Sequence, residues 1–332
     1  MTEGIQTSAD LSGRTDVYGV KYFLTLLVAI LYGGILSQLP TENFFDHVNY
    51  LAYAENSWDL LSTTWAVNPL IAIANEPIWL LLNAALSLVL SPDATVRLII
   101  FVSATTVAFR VLRVNPKMAV FLLVFLLLPQ VMKNFLNHVR QGAAIALFLH
   151  GWFLTKPRQR WAVMALTPFV HSSFGFVLLM LGLVSLARRF RLAADLRFFV
   201  FSGFGIAVGV GIGWIATLAG ARQADQYTTG GAEVSGLGFI LWLTVFTLMC
   251  LQGRRYLREH IFECFVILFY LATYFLTEVT ARIFESGMIL VLLALLGLTG
   301  SRRHAAFAVI CVVGLLQWVS RLGQPLLGFG LA

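Results

Sequence analysis

Apolar residues run through this chain in eleven stretches, at about 20–39, 77–90, 97–112, 117–132, 138–155, 161–187, 197–219, 236–252, 260–278, 284–300 and 304–322. Charged residues or Pro/Gly breaks bound each run. Only 12% of the 332 residues are charged and 59% are hydrophobic, with a mean hydropathy of +0.83. A soluble domain carries roughly twice that share of charge. A soluble enzyme is therefore excluded, because its polar groups could not cover so much apolar surface. A transmembrane barrel is excluded as well, since it would alternate over segments of about ten residues. The fold class that remains is all-α: a polytopic membrane protein of about 10–12 transmembrane or re-entrant helices. It reads as one membrane domain over 1–332, with a polar tail at 1–19 and no cleavage signal after the first run, which is expected to stay as a helix. Cys250, Cys264 and Cys311 sit in or beside apolar runs and read as small buried hydrophobes.

Charge placement predicts orientation, because short cytoplasmic loops collect Lys and Arg. Five basic clusters lie at Arg110/Arg113/Lys117, Lys156/Arg158/Arg160, Arg188/Arg189/Arg191/Arg197, Arg254/Arg255/Arg258 and Arg302/Arg303. All five can lie inside if 161–187 returns to the side it left. Pro168 interrupts that run, so a broken helical hairpin is expected with His171 near its tip. The same map sends 133–140, 220–235 and 278–285 to the outer face.

The amino-terminal third resists the map. No Lys or Arg occurs from Tyr22 to Val96, a stretch that holds Glu42, Asp46, Glu55, Asp59, Glu76 and Asp93. This predicts an outside loop at 40–76, and its Trp58, Trp65, Tyr50 and Tyr53 suit short amphipathic helices on the outer leaflet. Counting 77–90 and 97–112 as full spans then puts Arg110 outside, against its cluster. Either one of these segments is re-entrant or 60–74 also dips into the membrane.

Ionisable groups near apolar spans are costly and mark function. The outer set contains Arg140 in Asn-His-Val-Arg-Gln-Gly, Arg282 between Glu278 and Glu285, Arg222 with Asp225 and Tyr227, and His171. Each has a plainer reading. Arg140 can snorkel to a lipid phosphate, Arg282 can pair with Glu278 four residues earlier, Arg222 can be a loop charge, and His171 can be a satisfied core histidine. His150 reads as bonded to a neighbouring helix, and Asn49, Asn83 and Asn134 as polar glue between helices. No P-loop, HExxH, GxSxG or acidic metal pair appears. The net charge of +7 comes mostly from the basic clusters and speaks to topology rather than to nucleic acid.

Four pieces in order carry a family resemblance. They are Asp46 with Asn49-Tyr50, Asn75-Glu76-Pro77-Ile78-Trp79, Val139-Arg140-Gln141-Gly142 and Pro168-Phe169-Val170-His171-Ser172-Ser173. Over residues 20–185 the chain resembles the EpsG-like branch of the Wzy-type polysaccharide polymerases, and Thr280-Ala281-Arg282-Ile283-Phe284 continues the likeness loosely. The resemblance implies an inner-membrane enzyme with a fold similar to GT-C glycosyltransferases. It would join undecaprenyl-diphosphate-linked oligosaccharide repeat units of O-antigen, capsule or exopolysaccharide at the periplasmic face. Implied partners are that lipid-linked oligosaccharide, membrane lipids, and a chain-length regulator and flippase of the same pathway, with no nucleic acid.

The residues suit that chemistry. Arginine binds diphosphate through a planar, permanently charged fork, which suits Arg140 and Arg282 first and Arg222 third. His171 is the candidate to orient or deprotonate the acceptor hydroxyl. Asp46 or Glu76 would orient the acceptor or act in its place, with Gln141, Tyr50 and Glu278 in support. No metal or cofactor is expected. An O-antigen ligase, a membrane acyltransferase or a lipid-linked oligosaccharide flippase would draw on similar groups.

Overall fold

The computed structural model describes residues 8–40, 43–44, 46–218, 236–277 and 279–330, with side chains from Gly19 onward except at 215 and 216. Arg222, the rest of the 220–235 loop and Glu278, with its expected pairing to Arg282, lie outside the described residues.

Sixteen α-helices form among the described residues. The first five are α1 (Ser8–Ser37), α2 (His47–Val67), α3 (Pro69–Ala74), α4 (Pro77–Ser87) and α5 (Pro92–Val114). Then come α6 (Ala119–Leu126), α7 (Pro129–Leu136), α8 (Val139–Trp152), α9 (Pro157–Ala165) and α10 (Ser173–Arg189). The last six are α11 (Ala194–Leu218), α12 (Leu237–Leu251), α13 (Arg254–Glu259), α14 (Ile261–Thr273), α15 (Val279–Ala294) and α16 (Gly300–Val319). Proline opens α3, α4, α5, α7 and α9. At that position its missing N–H costs nothing and its fixed φ suits the helix. Asn68 and Ser91 complete two of these starts by accepting from Leu70 N and Ala94 N.

Five helices among the described residues are long and apolar enough to cross a membrane: Gly19–Ser37, Pro92–Val114, Ala194–Trp214, Val279–Gly297 and Gly300–Val319. A sixth candidate is α6 with α7, bent by 69° at their junction. The sequence reads 117–132 as one run, but Pro129 pushes the residue before it out of helical conformation, and Leu128 sits at ψ 132°. The expected break in 161–187 is present: α9 ends at Ala165, a 3₁₀ turn covers Thr167–Phe169, and α10 starts at Ser173. His171 sits in that break.

The ambiguity before residue 110 is resolved by α1 and α5. They pack antiparallel, with Tyr22 against Phe109 at one end (ring centroids 5.4 Å apart). At the other end Arg97 Nη1 donates to Ser37 O (3.0 Å) and Leu39 O (3.1 Å). A Cβ on Gly33 would collide with the α5 backbone at Phe101, so the close approach needs glycine there. The chain thus leaves α1 and enters α5 on one side. None of α2, α3 and α4 qualifies as a span. The eleven residues of α4 rise only about 16 Å against a core of about 30 Å. Arg110 therefore lies at the end opposite to Arg97, with Lys21, as its charge cluster requires.

The remaining helices build one continuous core. Phe201 of α11 stacks on Phe265 of α14 at 4.0 Å, and Trp242 of α12 meets Phe284 of α15 at 4.7 Å. Large apolar side chains left exposed, such as Phe23, Ile35, Val210 and Leu315, lie along the span candidates, where a bilayer would cover them. Cys250, in the shorter apolar helix α12, is exposed rather than buried as the sequence suggests. Asn83 and Asn134 do not glue helices together. Each donates to a carbonyl of its own helix, Trp79 O and Gln130 O.

Candidate active site

Glu76 is the centre of the site. It precedes Pro77 at the start of α4 and takes a left-handed backbone (φ 61°, ψ 55°), which costs a non-glycine residue about 1–3 kcal/mol. The surroundings hold it there. Its Oε2 accepts from Arg140 Nη1 of α8 at 2.5 Å. Its Oε1 accepts from Ser172 N at 3.0 Å and contacts His171 Nδ1 at 2.9 Å, both from the α9–α10 break. A carboxylate can only accept here, so Nδ1 carries the hydrogen and Nε2 is the ring nitrogen turned away from Glu76. Burial alone would raise the Glu76 carboxyl. Arg140, His171 and the Ser172 N–H outweigh it and hold the group well below the usual carboxylate range.

The wall around Arg140 comes from α2 and α4. The guanidinium lies over the Tyr53 ring at 5.2 Å. Tyr50 and Tyr53 both meet Trp79 edge-on, at 5.9 and 6.2 Å. The Tyr50 hydroxyl donates to Asn137 O at 3.1 Å, which ties α2 to the turn before α8. Arg140 Nε is buried and has no partner among the described residues. Gly142 sets the depth of α8: a Cβ there would collide with Asn134 O and the Phe135 ring of α7.

Three sequence candidates thus converge, Glu76, Arg140 and His171, with Tyr50 as their wall. The others stand further back. Asp46 stands at the N-cap position of α2 without a side-chain capping bond and receives a 3.5 Å contact from Asn49 Nδ2, while its charge reaches Tyr50. Gln141 points the other way: its Nε2 donates to Arg282 O (2.8 Å) and Ser286 Oγ (3.2 Å), and Ser286 Oγ meets Ser173 Oγ at 2.9 Å. That chain joins α8, α10 and α15. Arg282 lends the network its carbonyl and leaves its side chain exposed.

A second polar group adjoins this network and was not singled out from sequence. Glu285 of α15 places Oε2 3.8 Å from His138 Nδ1, and both atoms are buried without a hydrogen-bond partner among the described residues. Lys133 and Arg282 act on both groups. Burial pushes the His138 imidazole far below its usual range. Lys133, Arg282, His171 and Arg140 push the same way, so it is neutral at physiological pH. One signal was available: Glu285 follows Arg282 by three residues and shares its helix face. His150 behaves as expected, bonding a neighbouring helix through Arg110 Nη2 at 2.9 Å from its Nδ1.

No curated protein and no solved structure matches the chain. The sequence model of the EpsG family matches residues 21–322. That interval contains Glu76, Arg140, His171 and Arg282 and every described span candidate but for the first two residues of Gly19–Ser37. The match covers nine-tenths of the molecule, and with it the chain belongs to the EpsG family, multi-pass membrane proteins with a polysaccharide-polymerase type of role.

Proposed function

We propose that the protein joins undecaprenyl-diphosphate-linked oligosaccharide repeat units into a surface polysaccharide, acting at the periplasmic face of the inner membrane. The observation that carries this is the convergence of Glu76, Arg140 and His171 on one buried ionic cluster, with Arg140 lying 64 and His171 95 residues beyond Glu76. The acceptor hydroxyl attacks the anomeric carbon of the donor sugar. The new C–O bond forms as the bond to the diphosphate breaks, and the electron pair leaves with the diphosphate. His171 Nε2 takes the hydroxyl proton, and Glu76 holds the imidazole in the tautomer that permits this. Arg140 has one nitrogen on Glu76. Its unpartnered Nε belongs to the fork that meets the developing negative charge, with Arg282 and Arg222 as further cations. Asp46, beside Tyr50, orients the acceptor. Metal is not required in this scheme, because the charge is met by guanidinium groups. A flippase and a chain-length regulator of the same pathway are the expected partners.

The test is reconstitution of purified protein with lipid-linked repeat units. A product ladder is expected, and its loss in Arg140→Ala at unchanged protein level. A wild-type ladder from Arg140→Ala, or none from active wild-type preparations, overturns the reading.

A further inference from the structure

A cavity of about 510 Å³ opens between α4, α5 and α8. That volume falls within the range of small-molecule sites. Its lining is apolar except for Ser103, Thr106 and His150. Three of its lining residues are close in sequence to Glu76, Arg140 and His171, which do not line it themselves. Ile78 lies two residues after Glu76, Ala143 one turn after Arg140, and Val170 directly before His171. Its floor is polar. His150 lines the cavity, and its Nδ1 takes the hydrogen bond from Arg110 Nη2, since arginine has no acceptor. From Ala143 to His150 the helix rises about 10 Å.

The occupant must match three things: an apolar body about 10 Å long, an anionic group at the Arg140 end, and no apolar continuation past Arg110. Sugar hydroxyls are excluded from the slot, because they would lie unbonded against aliphatic walls. We propose that the cavity holds the proximal isoprene units of the carrier lipid, with the diphosphate at Arg140. The Arg110–His150 pair stops the chain, and the distal units turn out through the open side into the bilayer. This rests on the polymerase reading and adds a specific consequence: recognition of the carrier ends after its first few units.

Two measurements test it. In the first, repeat units on synthetic prenyl diphosphates of increasing length are given to the wild type and to Val102→Trp and Ala146→Phe, which fill the slot. Val102 is half-exposed, so a larger side chain there is compatible with folding. Wild-type kcat/KM is expected to rise over the first few units and then stay flat. The filled variants are expected to match wild type on a single-unit carrier and to fall about tenfold or more on longer ones. Unchanged kcat/KM on long carriers in both variants overturns the proposal, as does a wild-type rise continuing to full length.

The second measurement needs no turnover. A farnesyl diphosphate carrying a diazirine on its distal unit is photolysed with the purified protein. Label on the cavity faces of α5 and α8, lost in Val102→Trp, supports the cavity even if no ladder forms and the polymerase reading fails. Label confined to other helices overturns the cavity assignment while leaving an observed ladder intact.

Discussion

At the scale of single residues, the carboxylate of the candidate site is already committed. Glu76 accepts from Arg140, His171 and Ser172, so in the proposed reaction it would position His171 rather than act as the base. Removing its charge leaves a buried arginine unpaired, a class of change that costs about 3–5 kcal/mol. Glu76→Gln is expected to lower the melting temperature in detergent and to abolish the ladder, whereas an active, stable variant would contradict the assignment. Acid titration separates the two buried groups. The depressed Glu76 carboxyl contributes stability above the ordinary carboxylate pKa of about 4.3, and this is lost as pH falls below it. The depressed His138 imidazole binds its proton more readily unfolded, so stability begins to fall below about 6.5. Melting curves of wild type are expected to show both declines, with Glu76→Gln lacking the lower and His138→Gln the upper. Equal acid sensitivity in all three proteins would contradict the burial of these groups. Arg140 and His171 are visible in sequence because a cation and an imidazole stand out beside apolar runs. Glu285 is not, since its importance arises only where α15 packs on the α7–α8 turn.

Among the elements, the site depends on interruptions. Glu76 precedes a proline start, His171 lies in the gap between α9 and α10, and Arg140 follows the turn after α7. Composition and periodicity predict helices and Pro168 predicts the gap, so most of this was legible. The break at Pro129 was less so, because the apolar run passes through it without a change of composition. The three helices between α1 and α5 were ambiguous because an apolar run as short as 77–90 does not by itself tell a span from a helix that stays on one side. Gly142 tests the precision these interruptions need. Gly142→Ala forces α8 away from Asn134 O and the Phe135 ring, a crowding of the kind that costs about 1–3 kcal/mol. The variant is expected to insert and purify, with a lower melting temperature and shorter polymer. Wild-type polymer length would show that Arg140 does not depend on the depth of α8.

For the whole molecule, the antiparallel α1–α5 pair fixes which groups share a side. The Arg97 end of α5 stands with the carboxyl end of α1, and Arg110 with Lys21. The site end of α8 lies about 15 Å along the helix from His150, which Arg110 bonds. Glu76, Arg140 and His171 are therefore at one end, and the Arg110 and Lys156 clusters at the other. The proposed orientation puts the second end in the cytoplasm, following the charge asymmetry, and labelling tests it. In a cysteine-free background, Val48→Cys at the start of α2 and Arg158→Cys in α9 both present exposed positions. A membrane-impermeant thiol reagent added to intact spheroplasts is expected to modify Val48→Cys at once and Arg158→Cys only after permeabilisation. The reverse pattern would place Glu76, Arg140 and His171 on the cytoplasmic face, where in the proposed reaction the donor's diphosphate would meet Arg140 before any flipping step. Labelling of both without permeabilisation would mean that α5 does not carry the chain across.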